Sequence, residues 1–232
     1  LSSSVIDGSL QCRTAASPVS AAGTVCDVTL AVSSAARVEV VAATLPSAYQ
    51  LLPIEDSLLV EALSSASGST EGGLELCLRG SHLDRNLTTP PTVLVGSAPC
   101  ITANTTWNAT HLCCVTSHHR EGAAAVSVYA APFGYALRSP SLPPFQYTAA
   151  PQVVDLSPRT GGPDSVIEIQ MIGYDAAAFG VPTVMIGSAP CVGVHTFIAG
   201  GGVHAVCNAT NAPPGEVTVV VAVPGIGLAA CN

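Results

Sequence analysis

Charge is what this sequence has least of. Asp, Glu, Lys and Arg make up 9% of its 232 residues, and only seven of these are basic, for a formal net charge of −8. Neutralising a phosphate backbone needs a basic surface, so nucleic acid is excluded as a partner, and an anionic membrane surface with it. Aromatic side chains are also scarce, at 4%. The positive mean hydropathy of +0.49 therefore comes from Ala and Val. Long apolar runs are missing too. The longest, residues 217–230, reaches 14 residues and is broken by Pro224, Gly225 and Gly227, whereas a spanning helix needs about 20. No direct membrane insertion is expected of this segment. Leu1 opens straight into Ser-rich sequence that resembles a domain interior, so any export leader is expected to lie outside it.

Signs of chemistry are absent as well. The sequence has no G-x-S-x-G elbow, no phosphate-cradling loop and no calcium loop of Asp-x-Asp type. The 15 acidic residues are scattered without a spacing that implies an acid–base pair. Ser188 and His195 form no convincing nucleophile–base pair, because Ser188 belongs to a repeated turn described below. The expectation is a non-enzymatic chain without a cofactor.

Sustained 3.6-residue periodicity is missing, and 21 Gly and 18 Pro cut the chain into short pieces, several rich in Val. Short β-branched runs between turn formers read as strands, so the fold is expected to be all-β with little helix. Against these shortages stand nine cysteines: Cys12, Cys26, Cys77, Cys100, Cys113, Cys114, Cys191, Cys207 and Cys231. None is arranged as C-x-x-C, which favours disulfides over structural zinc. Four of the six asparagines head an N-x-Ser/Thr sequon: Asn86, Asn104, Asn108 and Asn208. Chance would supply about one. Both features point to an exported, N-glycosylated protein.

The chain repeats itself. Pro91-Thr-Val-Leu-Val-Gly-Ser-Ala-Pro-Cys100 returns as Pro182-Thr-Val-Met-Ile-Gly-Ser-Ala-Pro-Cys191, identical at eight of ten positions. Upstream, Leu74–Gly80 parallels Ile167–Gly173, alternating apolar and polar as a half-buried strand does. Downstream, Cys114-Val-Thr116 parallels Cys207-Asn-Ala-Thr210, and each is followed by a Val-rich strand. A partial copy opens the chain, with Leu10-Gln-Cys-Arg-Thr14 and the Val-rich stretch 24–32. Three units are therefore expected: the second half of a repeat plus a linker (1–56), a complete repeat (57–149), and a repeat lacking its last strand (150–232). Such a chain is expected to be a piece of a longer protein, because a half-sandwich alone leaves an open core.

The run Phe145-x-Tyr147-x-x-x-Pro151-x-Val-x-x-Leu156-Ser-Pro158, followed by an alternating strand and Val-x-Ile-Gly-Ser-Ala-Pro-Cys191, resembles the junction and body of tandem IPT/TIG domains. These are immunoglobulin-like sandwiches arrayed in fibrocystin-like proteins, plexins and the hepatocyte growth factor receptor. The resemblance covers essentially the whole chain. It departs at the long stretch 38–57 and at Cys26, Cys77 and Cys113. It implies tandem β-sandwiches with Cys100 paired to Cys114 and Cys191 to Cys207. Cys77 and Cys113 each face away from their apolar neighbours, which leaves a bridge between them open. Cys12 is expected to pair upstream or with Cys26, and Cys231 beyond the end.

The densest set of metal-type donors is Cys113, Cys114, His118 and His119, with His111 nearby, a composition that suits zinc. Cys114 is claimed by the repeat and the histidines by a polar turn, so no metal is assigned. Trp107, between two sequons, is more simply a packed residue. The functional expectation is a structural or adhesive module of a cell-surface or ciliary-surface glycoprotein, self-associating or meeting other extracellular glycoproteins. A receptor ectodomain binding a protein or glycan ligand is the alternative.

Overall fold

The computed structural model describes residues 57–84, 87–131, 133–162, 164–210, 212 and 214–231, without the side chains of 103–106, and the backbone of four strands within 1–56. The chain divides into Leu1–Ser57 and Leu58–Asn232. In the first unit β1 (Ser3–Ile6) pairs antiparallel with β2 (Ser9–Cys12), and β3 (Val25–Ser34) with β4 (Arg37–Gln50). Residues 38–50, expected from sequence to be linker, thus lie in a strand. A β-rich segment next to the Val-rich 24–32 stretch satisfies its backbone by pairing with it.

The second unit holds two repeats. The first comprises β5 (Leu59–Leu63), β6 (Ser67–Ser69), β7 (Glu75–Ser81), β8 (Thr92–Val95), β9 (Ala98–Trp107), β10 (His111–Val115), β11 (Gly122–Ala124), β12 (Val126–Ala130), β13 (Gly134–Tyr135), β14 (Leu137–Arg138) and β15 (Phe145–Thr148). Strand β9 passes from one layer to the other. Ala98–Cys100 pairs with β8, whereas the later part pairs with β10, giving the order β13-β12-β8-β9-β10-β7-β5-β14. A small sheet, β11-β15-β6, closes the sandwich. Alternation sends Leu76 and Leu78, Val93 and Val95, Leu112 and Cys114, and Phe145 and Tyr147 into one core. Phe145 and Tyr147 meet edge to face at 5.1 Å.

The second repeat comprises β16 (Gln152–Ser157), β17 (Ser165–Ile172), a single helical turn α1 (Ala176–Phe179), β18 (Thr183–Ile186), β19 (Ala189–Pro190), β20 (Val192–Ala199), β21 (Gly202–Ala209), β22 (Val219–Val223), β23 (Gly227–Leu228) and β24 (Ala230–Cys231). Asp175 caps α1 by accepting from the Ala177 N–H at 2.9 Å. The sheets are β20-β21-β17-β16-β24 and β19-β18-β22-β23. Ile167, Ile169, Met171, Val184, Ala205, Cys207, Val221 and Val223 fill the space between them. The parallel pairing of β24 with β16 repeats that of β14 with β5.

Strand register refines the internal alignment. Leu76 lies opposite Cys114, and Ile167 lies opposite Cys207. Leu76, not Leu74, is therefore the structural counterpart of Ile167. A two-residue shift leaves the inward and outward pattern unchanged, which is why alternation alone did not expose it.

Candidate functional site

The Gly-Ser-Ala-Pro-Cys turn delivers a cysteine at the end of a tight hairpin, and the returning strand delivers the second from its inward face. The structure brings Cys100 and Cys114 together at S–S 2.11 Å, with Cα atoms 5.4 Å apart. Cys191 and Cys207 meet at 2.16 Å with Cα atoms 5.7 Å apart. All four are buried. Cys113 faces outward beside inward Cys114, directly opposite Cys77 on β7, and these two are also bonded, at 2.08 Å. Cys12 and Cys26 fall on β2 and β3, where side chains lie outside the described residues. Cys231 is exposed, with its thiol directed at the Val219 carbonyl.

These bonds dismantle the metal-type cluster. The sulfurs of Cys113 and Cys114 are each shared with another cysteine, so neither offers a thiolate. Glu75, close to Cys77 and Cys113, adds one carboxylate to a pair of oxidised sulfurs. His111 Nδ1 sits 2.8 Å from the Thr110 hydroxyl. His118 lies 3.8 Å from the Glu71 carboxylate. The His119 ring stacks on Tyr147 at 4.7 Å, with Nδ1 against the Arg120 carbonyl. Ser188 is exposed in the β18–β19 turn, while His195 on β20 turns its Nδ1 towards the Gly193 carbonyl, so the structure does not assemble them as a pair.

Of the sequon asparagines, Asn86 lies outside the described residues, and Asn104 is on β9 with its side chain outside them. Asn108 is exposed at the β9–β10 turn. Its side-chain oxygen accepts from the backbone N–H of Thr110 and of His111, both at 2.9 Å, an Asx turn that fixes the hairpin tip. Asn208 is exposed in the body of β21, facing outward between Val166 on β17 and Val192 on β20. Trp107 packs partly buried against the core of its repeat.

What sequence reading missed is the seam between the two repeats. Ser69 is fully buried. Its N–H donates to the Ile226 carbonyl at 2.7 Å, and its hydroxyl donates to the Leu228 carbonyl at 2.7 Å. The Leu228 N–H returns a bond to the Gly72 carbonyl at 2.7 Å. Gly227, with φ +114°, presses its backbone so close to Gly72 and Leu74 that a Cβ there would overlap the Gly72 carbonyl. Gly73 lies equally close to the Leu228 side chain. An open groove of about 480 Å³ borders this seam, lined by Ser64, Gly73, Thr183, Val223 and Pro224 among others. The available signals were the Gly72-Gly73 pair and Pro224-Gly-Ile-Gly227, which read only as turns.

Two tyrosines are perturbed. Burial raises Tyr147 above the usual phenol range, and its hydroxyl donates to the Ser117 carbonyl at 3.3 Å. Burial, and then the carboxylate of Asp175, raise Tyr174, whose hydroxyl donates to the Gly180 carbonyl. Across the outer face of the five-stranded sheet, His204 Nδ1 lies 2.6 Å from the Glu168 carboxylate, and the His204 ring stacks on Phe197 at 5.0 Å. These contacts brace the sandwich laterally.

Similarities to known proteins are as follows. The family model described as "IPT/TIG domain" matches residues 58–147. The chain is 32% identical over 123 residues to human plexin-B3, an overlap of 52% of this chain and 6% of that protein. Among solved structures, the full extracellular region of plexin A4 superposes with a TM-score of 0.44 at 18% identity, covering 68% of this chain and 13% of the other. A surface glycan-binding protein from Prevotella bryantii gives 0.26 at 14% identity, covering 75% and 38%. The chain thus spans a small part of the curated relative that it matches. Residues 58–147 are thus similar to the IPT/TIG domain, and the fold is all-β, built of tandem immunoglobulin-like sandwiches.

Proposed function

We propose that this chain is a non-enzymatic structural or adhesive segment of an extracellular glycoprotein, at a cell or ciliary surface, in which the two IPT/TIG-type repeats of residues 58–231 are held stiffly against one another. The observation that carries this reading is the seam. Three residues, Ala149, Ala150 and Pro151, separate β15 from β16, and the backbone bonds from Ser69 to Ile226 and from Leu228 to Gly72 bridge the repeats beyond that linker. Independent domains swivel by default unless their interface resists it. Here bending must break these hydrogen bonds, each worth about 1 kcal/mol net and more when a partner is left unsatisfied. The disulfides support an oxidising compartment, and sugar on Asn86, Asn104, Asn108 and Asn208 belongs to the same reading. Domain limits at 57 and 150 follow from the repeat.

The test is small-angle scattering of the full chain, secreted from a eukaryotic host, beside a Gly227→Ala variant, whose added Cβ would overlap the Gly72 carbonyl and force the seam open. The reading expects a narrower distribution of lengths for the wild type than for the variant. Equal breadth in both would remove rigidity as the function. A second reading, a receptor ectodomain that engages a protein ligand, is favoured by the similarity to plexin-B3 over 123 residues. A soluble ligand captured by the wild type with a defined stoichiometry would select it.

A further inference from the structure

Strand β20 is one of the two edges of the five-stranded sheet among the described residues. Its sequence, Val-Gly-Val-His-Thr-Phe-Ile-Ala, contains no Lys, Asp, Glu or Pro. Val192 is 51%, Phe197 42% and Ile198 79% exposed. Natural edge strands are usually blunted with charge, proline or a covering element, since an exposed apolar edge invites pairing with another chain. Apart from the register shift between Val192 and His195, β20 carries none of these devices.

One strand inward lies Asn208, in the sequon Asn208-Ala-Thr210. It faces out from β21 directly opposite Val192 on one side and Val166, 57% exposed, on the other. Cross-strand neighbours stand roughly 5 Å apart, so the first sugar on this asparagine would have an apolar side chain within reach on each side. The corresponding row of the preceding repeat, Ile101–Val115–Glu75, holds Val115 where this one holds Asn208.

We propose that Asn208 carries an N-linked glycan whose first N-acetylglucosamine packs its C–H face over Val166 and Val192, covering this end of the sheet and keeping β20 from pairing with a second copy. The proposal rests on the export reading above and adds a specific task for one of the four sequons. The sugar would supply the edge protection that the protein sequence omits.

The test uses the full chain secreted from a glycosylating host, with glycopeptide mass spectrometry for occupancy and sedimentation equilibrium for association. Asn208 is expected to be occupied in the wild type. Trimming the folded glycoprotein to the first N-acetylglucosamine should leave it monomeric. The Asn208→Gln variant should self-associate at least about tenfold more tightly, and Thr210→Ser, which keeps the sequon, should not. Adding Val166→Thr and Val192→Thr to Asn208→Gln should restore the monomer. Enzymatic removal of the whole glycan from folded wild type, which hydrolyses the amide and leaves a carboxylate at position 208, uncovers the same face without relying on a variant's folding. Occupancy at Asn108 with none at Asn208 overturns this proposal and leaves the export reading intact. So does an occupied Asn208 whose loss leaves association unchanged. Bare sequons throughout overturn both.

Discussion

The two repeats share a strand skeleton and close it differently. In the first, β15 brings Phe145 and Tyr147 into the core and pairs with β6 and β11, so both layers are capped by a third small sheet. Among the described residues of the second, that small sheet has no counterpart, and Met171, Tyr174 and aliphatic side chains fill the core instead. The first repeat braces the outer face of β7 and β10 with Cys77–Cys113. Counting from the residues opposite Cys114 and Cys207, the same positions in the second are Glu168 and Val206. Its outer face is held by the contact of Glu168 with His204 and the stacking on Phe197. The shared Gly-Ser-Ala-Pro-Cys element therefore specifies a hairpin and one buried disulfide. Closing the sandwich is solved separately in each copy.

The largest effect should come from making the first repeat resemble the second. Tyr147→Ala removes a fully buried ring that stacks on His119 and meets Phe145. Large-to-small aromatic substitutions of this kind cost about 3–5 kcal/mol. Calorimetry should show the transition of residues 58–148 moving well below that of 150–231. If both transitions move together, the seam couples the repeats into one cooperative unit.

The bridges come next in size. Cys191→Ala/Cys207→Ala opens a connection of 16 residues, worth about 3 kcal/mol in the chain-entropy account. The second repeat has no other bridge among the described residues, so it should lose order first under denaturant. The matching Cys100→Ala/Cys114→Ala pair should be tolerated better, because Cys77–Cys113 still ties β7 to β10. Urea titration followed by hydrogen exchange distinguishes the two.

Much of this was legible beforehand, for particular physical reasons. The all-β class followed from short Val-rich runs between Gly and Pro, since few other backbones accept that punctuation. The inward side chains of β7, β10 and β17 followed from period-two alternation. The seam was not legible. It depends on backbone groups of Ser69, Gly72, Ile226 and Leu228, and backbone carries no sequence signature beyond the glycines that permit close approach. The metal-type reading around Cys113 had the right density of donors, and the structure spends both sulfurs in bridges. Spacing shows which donors lie near one another, and only the repeat and the outward alternation of Cys77 and Cys113 pointed to what each sulfur holds.

A smaller effect sharpens the seam. Ser69→Ala removes the hydroxyl that donates to Leu228 and accepts from the Glu71 N–H at 3.0 Å. Leaving such groups unsatisfied costs about 1–3 kcal/mol. The backbone bonds from Ser69 to Ile226 and from Leu228 to Gly72 stay in place, so the single substitution should loosen the coupling and broaden the calorimetric transition while changing neither core.

The smallest contrast is between the two raised tyrosines. Both phenols stay neutral in the fold above the ordinary value of 10.0. An acid whose folded pKa exceeds its unfolded one stabilises fully below the unfolded value, and that contribution disappears as pH rises through the folded value. Both repeats should therefore weaken in alkali beyond about pH 10, each through its own tyrosine. The causes differ: burial alone acts on Tyr147, whereas Tyr174 also feels Asp175. Asp175→Asn keeps a capping oxygen for α1 and removes the charge, so the Tyr174 ring resonances should titrate at lower pH while those of Tyr147 stay in place. Movement of both would mean that alkali acts through a shared opening of the seam and not through either ring's surroundings. An unmoved Tyr174 would leave burial as its whole cause and make the two sites physically alike.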